Sequence, residues 1–316
     1  AKEENPKAVE SFSEAIFIQA LVWSVGACVD FNGRRAFDEY LRLVLGGGAN
    51  LERSTAHADF LAKTLNYGRE NAARSACNAP PASGAVYDSQ FDARAARWRP
   101  WVDESFKFEI PAGARFNAIV VPTMDTVRHE CLIEQLLLNG CHVMCTGETG
   151  TGKSVSVKKL VHRLVSSNAS GKSFQAIELN FSAQTSANMT QDIIDSKLEK
   201  RRKGVLGPPL GTTGLIFVDD LNMPAKEEYG AQPPIEILRQ WMDHAGWYCR
   251  DDNTFRQLIG TQYIGAMAPP GGGRTQITQR YVRHFNLINF VPFSNESLKR
   301  IFTTILDWFL ASNGFS

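Results

Sequence analysis

No Cys-x-x-Cys pair occurs in the 316-residue sequence. None of its six cysteines (Cys28, Cys77, Cys131, Cys141, Cys145, Cys249) stands at metal-ligand spacing from the six histidines. That leaves out the zinc-ribbon and thioredoxin-type patterns. In a chain this long the cysteines read as reduced, buried thiols of an intracellular protein. Charge of one sign is missing too. Lys and Arg number 34, Asp and Glu 33, and the net charge is +1. No global field draws nucleic acid or an acidic membrane, and no basic patch with interleaved aromatics is visible. Long apolar runs are absent as well. The most apolar stretch, Ala15–Val29, is broken by Gln19, Ser24 and Gly26 and falls short of the ~20 residues a membrane span requires. No signal peptide is visible. The sequence starts without Met and ends inside an apolar helical pattern, so a piece of something longer is expected.

What the sequence does have is a core and one motif. Hydrophobic residues make up 43% of it, enough for one large or two medium domains. Gly147, Glu148, Thr149, Gly150, Thr151, Gly152, Lys153 and Ser154 match the phosphate-binding P-loop, Gly-x4-Gly-Lys-Ser/Thr. Glycines let several backbone N–H groups converge on one phosphate chain. Lys153 suits the β/γ phosphates of ATP or ADP, and the Ser154 hydroxyl suits Mg2+. His142–Thr146 reads as a strand before the loop and Val155–Val165 as an amphipathic helix after it.

Around the motif the chain divides. Residues 1 to about 75 look helical, with a turn at Asp30–Arg34, a helix over Arg35–Leu45, and a stop at Gly46–Gly48. Leu51–Tyr67 is a weaker helical stretch. Residues 76–105, rich in Ala, Pro and Arg, read as an irregular connection. A large α/β domain is expected over 106–300 and the start of another helical segment over 301–316. Phe106, Phe108 and Ile110 alternate as in an edge strand, and Asp125–Asn139 reads as a helix with Val127, Cys131, Ile133, Leu136 and Leu137 inward. Four further strands are expected at Ala176–Asn180, Leu215–Asp219, Gln262–Ala266 and Leu287–Val291. Strands alternating with helices predict a parallel sheet covered on both faces.

Two more signals bear on chemistry. Asp219 ends the most apolar strand, where a P-loop protein needs a carboxylate for the Mg2+ shell. Asp220 follows where a Glu usually orients water, one methylene short of it. A misplacement of about 1 Å can cost ~100-fold in rate. Ala268 takes the place of a polar γ-phosphate sensor. Gly271–Gly273 reads as a flexible loop. Beyond it Arg280, with Arg283 as second choice, is a candidate arginine finger for a neighbour's nucleotide. The run Lys197–Lys203 reads as a solvated helix end and hairpin. His142, His162, His244 and His284 read as core or surface histidines.

Together these residues resemble a family. Leu215–Ala225, Tyr229–His244 and Gly246–Tyr248 look like the third AAA+ module of an axonemal dynein heavy chain, in a form closer to inner-arm than outer-arm chains. Ala266–Arg274 and Arg280–Phe285 extend the match. So does Val121–Arg128, whose Val121, Pro122 and Thr123 in the family lie beside the nucleotide base. Leu21–Ala27 and Asp30–Arg34 resemble the helical lid of the preceding module. The resemblance implies an AAA+ P-loop NTPase fold, with a parallel five-stranded sheet flanked by helices and an all-helical lid before it. It implies partners too: the other AAA+ modules of a six-membered ring in one polypeptide, microtubules through a stalk elsewhere, and dynein intermediate and light chains. Nucleic acid and membrane are not among them. The setting it implies is cytoplasmic, in the axoneme of a cilium or flagellum. Two functions stay open: a regulatory nucleotide-binding module with slow or absent hydrolysis, favoured by Asp220 and Ala268, or a working ATPase module. An AAA+ remodeller outside dynein would leave Asn222–Trp247 unexplained.

Overall fold

A computed structural model describes residues 6–45, 78–102, 108–111, 113, 115, 116, 119–167 and 171–312. The expected helix at Leu51–Tyr67, the stop at Gly46–Gly48, Cys77, and Phe106 and Lys107 of the expected edge strand lie outside these residues. The chain forms two compact units, 1–107 and 108–316.

The first unit carries helices α1 (Pro6–Ser24) and α2 (Phe31–Leu45). The expected turn at Asp30–Arg34 is the first turn of α2 instead. The Gly33 N–H donates to Asp30 Oδ1 at 2.7 Å, an N-terminal cap that lets the helix start four residues early. Residues 76–105, expected to be an irregular connection, hold an antiparallel hairpin of β1 (Ser89–Asp92) and β2 (Arg97–Pro100). Propensity is weak there, and long-range contacts decide. Val86 and Tyr87 pack with Ile18, Val22 and Leu41. The Phe91 N–H donates to Gln19 Oε1 and the Val86 N–H to Asp38 Oδ1. The apolar stretch is also longer than the sequence suggested. Val9–Cys28 is long and apolar enough, by length and composition, to cross a membrane. Its Ala15, Ile18 and Val22 are buried within the unit, while Val9, Ile16, Phe17 and Val25 are exposed.

The second unit is a five-stranded sheet in which every pairing is parallel. Its strands are β3 (Val143–Gly147), β4 (Ser173–Asn180), β7 (Thr212–Asp219), β10 (Thr261–Met267) and β11 (Asn286–Phe290), in the order β11-β3-β10-β7-β4. In β7, Gly214–Val218 are all buried, as the continuous apolar run requires of a central strand. Helix α3 (Met124–Leu138) starts at a Thr123 cap. Its inward side differs from the expected one. Ile133 and Leu137 are buried with Thr126, Arg128, His129 and Leu132, while Val127, Cys131 and Leu136 are half-buried. His129 stacks on Phe290 at 4.1 Å between ring centroids, which turns the helix. Helix α4 (Lys153–Ser166) buries Val157, Leu160, Val161 and Leu164 at helical spacing. Phe108–Ile110 form no strand.

A second sheet, not expected as such, sits within this unit. The run Glu199–Arg202 (β5) pairs antiparallel with β6 (Val205–Gly207) as the foreseen hairpin. β6 then pairs parallel with β9 (Phe255–Leu258), and β9 antiparallel with β8 (Gly246–Tyr248). Helix α5 (Ala187–Lys197) precedes β5 in sequence, and α6 (Pro233–His244) precedes β8. Leu206, Leu258, Trp247, Leu238 and Trp241 join the buried cluster of the main sheet. Short α7 (Gln279–Val282) precedes β11, and α8 (Asn295–Ser312) closes the described residues with no buried side chain.

Candidate nucleotide-binding site

Three strands end at one cavity. β10 lies between β3 and β7, so the ends of β3, β10 and β7 bring the loops after them together. The cavity is about 390 Å³, and its lining includes Thr149, Gly150, Gly152, Lys153, Ser154, Asp219, Asp220, Ala268 and Arg274.

The loop after β3 has the backbone its glycines are needed for. Gly147 has φ of 143°, Gly150 of 87° and Gly152 of 77°. At Gly147 a Cβ would stand 2.3 Å from the Phe290 carbonyl oxygen, so no side chain fits. Glu148 and Thr151 clip the loop: the Thr151 hydroxyl donates to the Glu148 carbonyl at 2.9 Å. Lys153 is 8% exposed. Its Nζ donates to the carbonyls of Gly147 (2.8 Å) and Glu148 (2.6 Å) and to the Thr151 hydroxyl (3.2 Å). Burial holds its pKa below the ordinary lysine value. Cys145, Asp219 and Asp220 oppose that shift, and Arg274 adds to it. A phosphate would relieve that cost, since it supplies the anion the buried ammonium lacks.

The two residues expected to hold a metal are brought together. Ser154 Oγ donates to Asp219 Oδ1 at 2.7 Å, and the Asp220 N–H donates to the same oxygen at 3.1 Å. Lys158 Nζ stands 3.7 Å from Asp219 Oδ2. A hydroxyl and a carboxylate oxygen this close, beside a buried Lys on a glycine loop, fit a Mg2+-nucleotide. Cys145, under the loop, is fully buried and its thiol pushed up to about 12. It is an inert core group. The expectation of uniformly buried cysteines fails at Cys28, which is exposed.

Asp220 adopts a left-handed backbone, φ 50°, and its Oδ1 faces Arg274 at 3.6 Å. Arg274 is a cavity residue that motif reading missed. It ends a tight turn in which the N–H groups of Gly271 and Arg274 each donate to the other's carbonyl at 3.0 Å. The expected loose loop is therefore closed. A network behind it holds the turn. Asn222 Nδ2 donates to the Ala268 carbonyl at 2.7 Å, the Thr275 N–H to the Asn222 carbonyl at 3.0 Å, and Gln232 Nε2 to the Pro224 carbonyl and Thr275 Oγ1. In the sequence, Ala266–Arg274 and Asn222–Trp247 are marked only by the family resemblance.

Val121, Pro122 and Thr123 are buried at the start of α3 and are not among the cavity's lining residues. Arg280 is exposed and, among the described residues, forms no ion pair. Arg283 is committed within its own unit: its Nη2 donates to Asp243 Oδ1 at 2.6 Å. Arg283 and His284 hold the Asp243 carboxyl low, at about 2, against its partial burial. Among the described residues no cluster of three or more His, Cys, Asp or Glu is placed to bind a metal by itself.

Residues 108–293 match the family described as P-loop containing dynein motor region, and residues 1–103 the dynein heavy chain AAA lid domain. The chain is 45% identical over 308 residues to dynein axonemal heavy chain 1 of Homo sapiens, covering 96% of this chain. It is 39% identical over 299 residues to dynein axonemal heavy chain 3 of Homo sapiens, covering 93%. To dynein axonemal heavy chain 12 of Rattus norvegicus it is 41% identical over 306 residues, covering 96%. The matches span only 7%, 7% and 9% of those relatives. With a lid-type unit followed by a five-stranded P-loop unit, the chain belongs to the dynein heavy chain family.

Proposed function

We infer that this chain is a regulatory nucleotide-binding module of a dynein motor, one that binds ATP or ADP with Mg2+ and hydrolyses ATP slowly or not at all. The observation that carries this reading is the placement of Asp220, one methylene short of Glu and on a left-handed backbone. The carboxylate in the water-orienting place faces a cation at 3.6 Å from a left-handed backbone. That placement turns it away from a general-base role. Ala268 beside it has no polar side chain to offer a γ-phosphate. Binding groups are intact: the loop N–H groups and Lys153 would hold the phosphates, and Ser154 with Asp219 the metal. Mg2+ would supply charge neutralisation there. Losing one preorganised donor can cost ~100- to 1,000-fold in rate, while ground-state affinity survives, because the two are separable.

In this reading the module is the third of a six-membered ring of an inner-arm-like heavy chain. Its occupancy biases a ring that drives microtubule motility in the axoneme of cilia and flagella. Residues 1–75 belong to the lid of the preceding module and 301–316 begin the next lid. Intermediate and light chains are partners of the whole heavy chain; nucleic acid and membrane are not. The working-ATPase alternative draws on the intact Ser154–Asp219 pair. Single-turnover hydrolysis in the intact heavy chain, with the first module's site disabled, separates the two. Turnover at this site well below ~1 s⁻¹, the low end for working enzymes, is expected, and faster turnover would overturn the regulatory reading.

A further inference from the structure

We propose that Arg274 is a phosphate contact supplied in cis, which makes this site bind a nucleoside triphosphate more tightly than a diphosphate. The inference rests on the reading of the cavity as a nucleotide site and adds a ligand preference to it.

Arg274 lines the same cavity as Lys153, Ser154, Asp219 and Asp220, on the wall that also carries Ala268. Its side chain is only 25% exposed. Its Nε is buried and has no hydrogen-bond partner among the described residues. The one ion pair it makes among the described residues, to Asp220, is 3.6 Å long, beyond good hydrogen-bond range. A guanidinium carries five N–H donors in a rigid fork that matches a phosphate. This one is largely desolvated and under-used, a costly state unless an anion completes it.

The mount is rigid. The turn Gly271–Arg274 is closed by its own two hydrogen bonds, and Thr275 is tied to Asn222 and Gln232. Asn222 in turn holds the Ala268 carbonyl. The guanidinium is thus presented by a fixed loop and needs little ordering on binding. Its neighbour Asp220 adjoins Asp219, which with Ser154 would hold the Mg2+ that neutralises the terminal phosphates. Arg274 therefore faces the terminal-phosphate end of the ligand. A triphosphate competes with Asp220 for it; a diphosphate leaves the Arg274–Asp220 pair in place.

The test is titration calorimetry on the 316-residue chain with Mg·ADP and with the slowly hydrolysed analogue Mg·ATPγS, read beside thermal unfolding. Arg274→Gln, which keeps most of the side-chain volume, is expected to weaken the analogue at least tenfold and ADP less than threefold, with an unchanged Tm. Asp220→Asn, which removes the competitor, is expected to strengthen the analogue relative to ADP. The second arm decides the matter if the first variant is unstable. Parallel weakening of both ligands in Arg274→Gln, or no change in the analogue-to-ADP ratio in either variant, overturns the proposal. A parent chain that binds neither ligand overturns the nucleotide reading itself, a distinct outcome.

Discussion

Ser154 Oγ donates to Asp219 Oδ1 at 2.7 Å across 65 residues of sequence. The two come from the start of α4 and the end of β7, and β10 between β3 and β7 sets their separation. In the proposed reading these two side chains, already in contact, would hold the metal. Asp219→Asn is therefore expected to weaken nucleotide binding about tenfold or more in Mg2+ and far less in EDTA. Equal weakening in both buffers, measured by titration calorimetry, would show that Asp219 acts on the fold and not on the metal.

Lys153 bonds three oxygens of its own loop, and only an incoming phosphate offers it a full counter-charge. Lys153→Ala should abolish binding of ADP and ATP in the same assay. Unchanged affinity would remove the P-loop from the site.

At Gly147 the strain is steric. A Cβ would meet the Phe290 carbonyl oxygen at 2.3 Å, at a φ of 143° that L-residues rarely adopt. Gly147→Ala is expected to destabilise the second unit by about 2 kcal/mol or more and to prise β11 from β3. Denaturant unfolding measures it, and a loss below ~0.5 kcal/mol contradicts the close approach.

His142 carries a pH prediction. Burial, with a smaller push from His284, lowers its pKa below the ordinary 6.5. Its Nδ1 accepts the Tyr263 N–H at 3.1 Å, which only an unprotonated Nδ1 can do. The unfolded chain then binds the proton more readily, so this contribution is full above pH ~6.5 and declines as pH falls below it. His142→Asn, whose amide oxygen can take the same N–H, should flatten the stability profile between pH 7 and 5. An unaltered slope in thermal melts would assign the acid sensitivity to another group.

Arg280 and Arg283 separate cleanly as candidates for a finger. Arg283 is held by Asp243, whereas Arg280 is exposed and unpaired among the described residues. In the intact heavy chain Arg280→Ala should slow hydrolysis at the preceding module's site 100-fold or more and leave this chain's own nucleotide affinity unchanged. Arg283→Ala should instead raise the Asp243 carboxyl from about 2 toward the usual range, visible by NMR titration. A finger effect from Arg283 and none from Arg280 would reverse the assignment.

Local pattern alone determined much of this protein. Strand, glycine loop and helix at 143–166 are written in neighbouring residues: an apolar run, glycines where φ must be positive, and apolar positions at helical spacing. β7 could be read because a strand buried on both faces must be apolar until it ends, and Asp219 marks that end. What tertiary structure decided lies where partners are distant. The hairpin at 89–100 exists because Gln19, Asp38 and the Val22–Tyr87 cluster receive it, though its own sequence suggests a linker. His129 turns inward because Phe290 offers a stacking face. Arg274 enters the cavity only because Asn222, Gln232 and Thr275 close the turn beneath it. Periodicity and motif spacing report on residues within a turn or two of one another. Pairings of β strands and side-chain hydrogen bonds across 40 or 50 residues leave no local trace, so Arg274 and its opposition to Asp220 emerged from the fold alone.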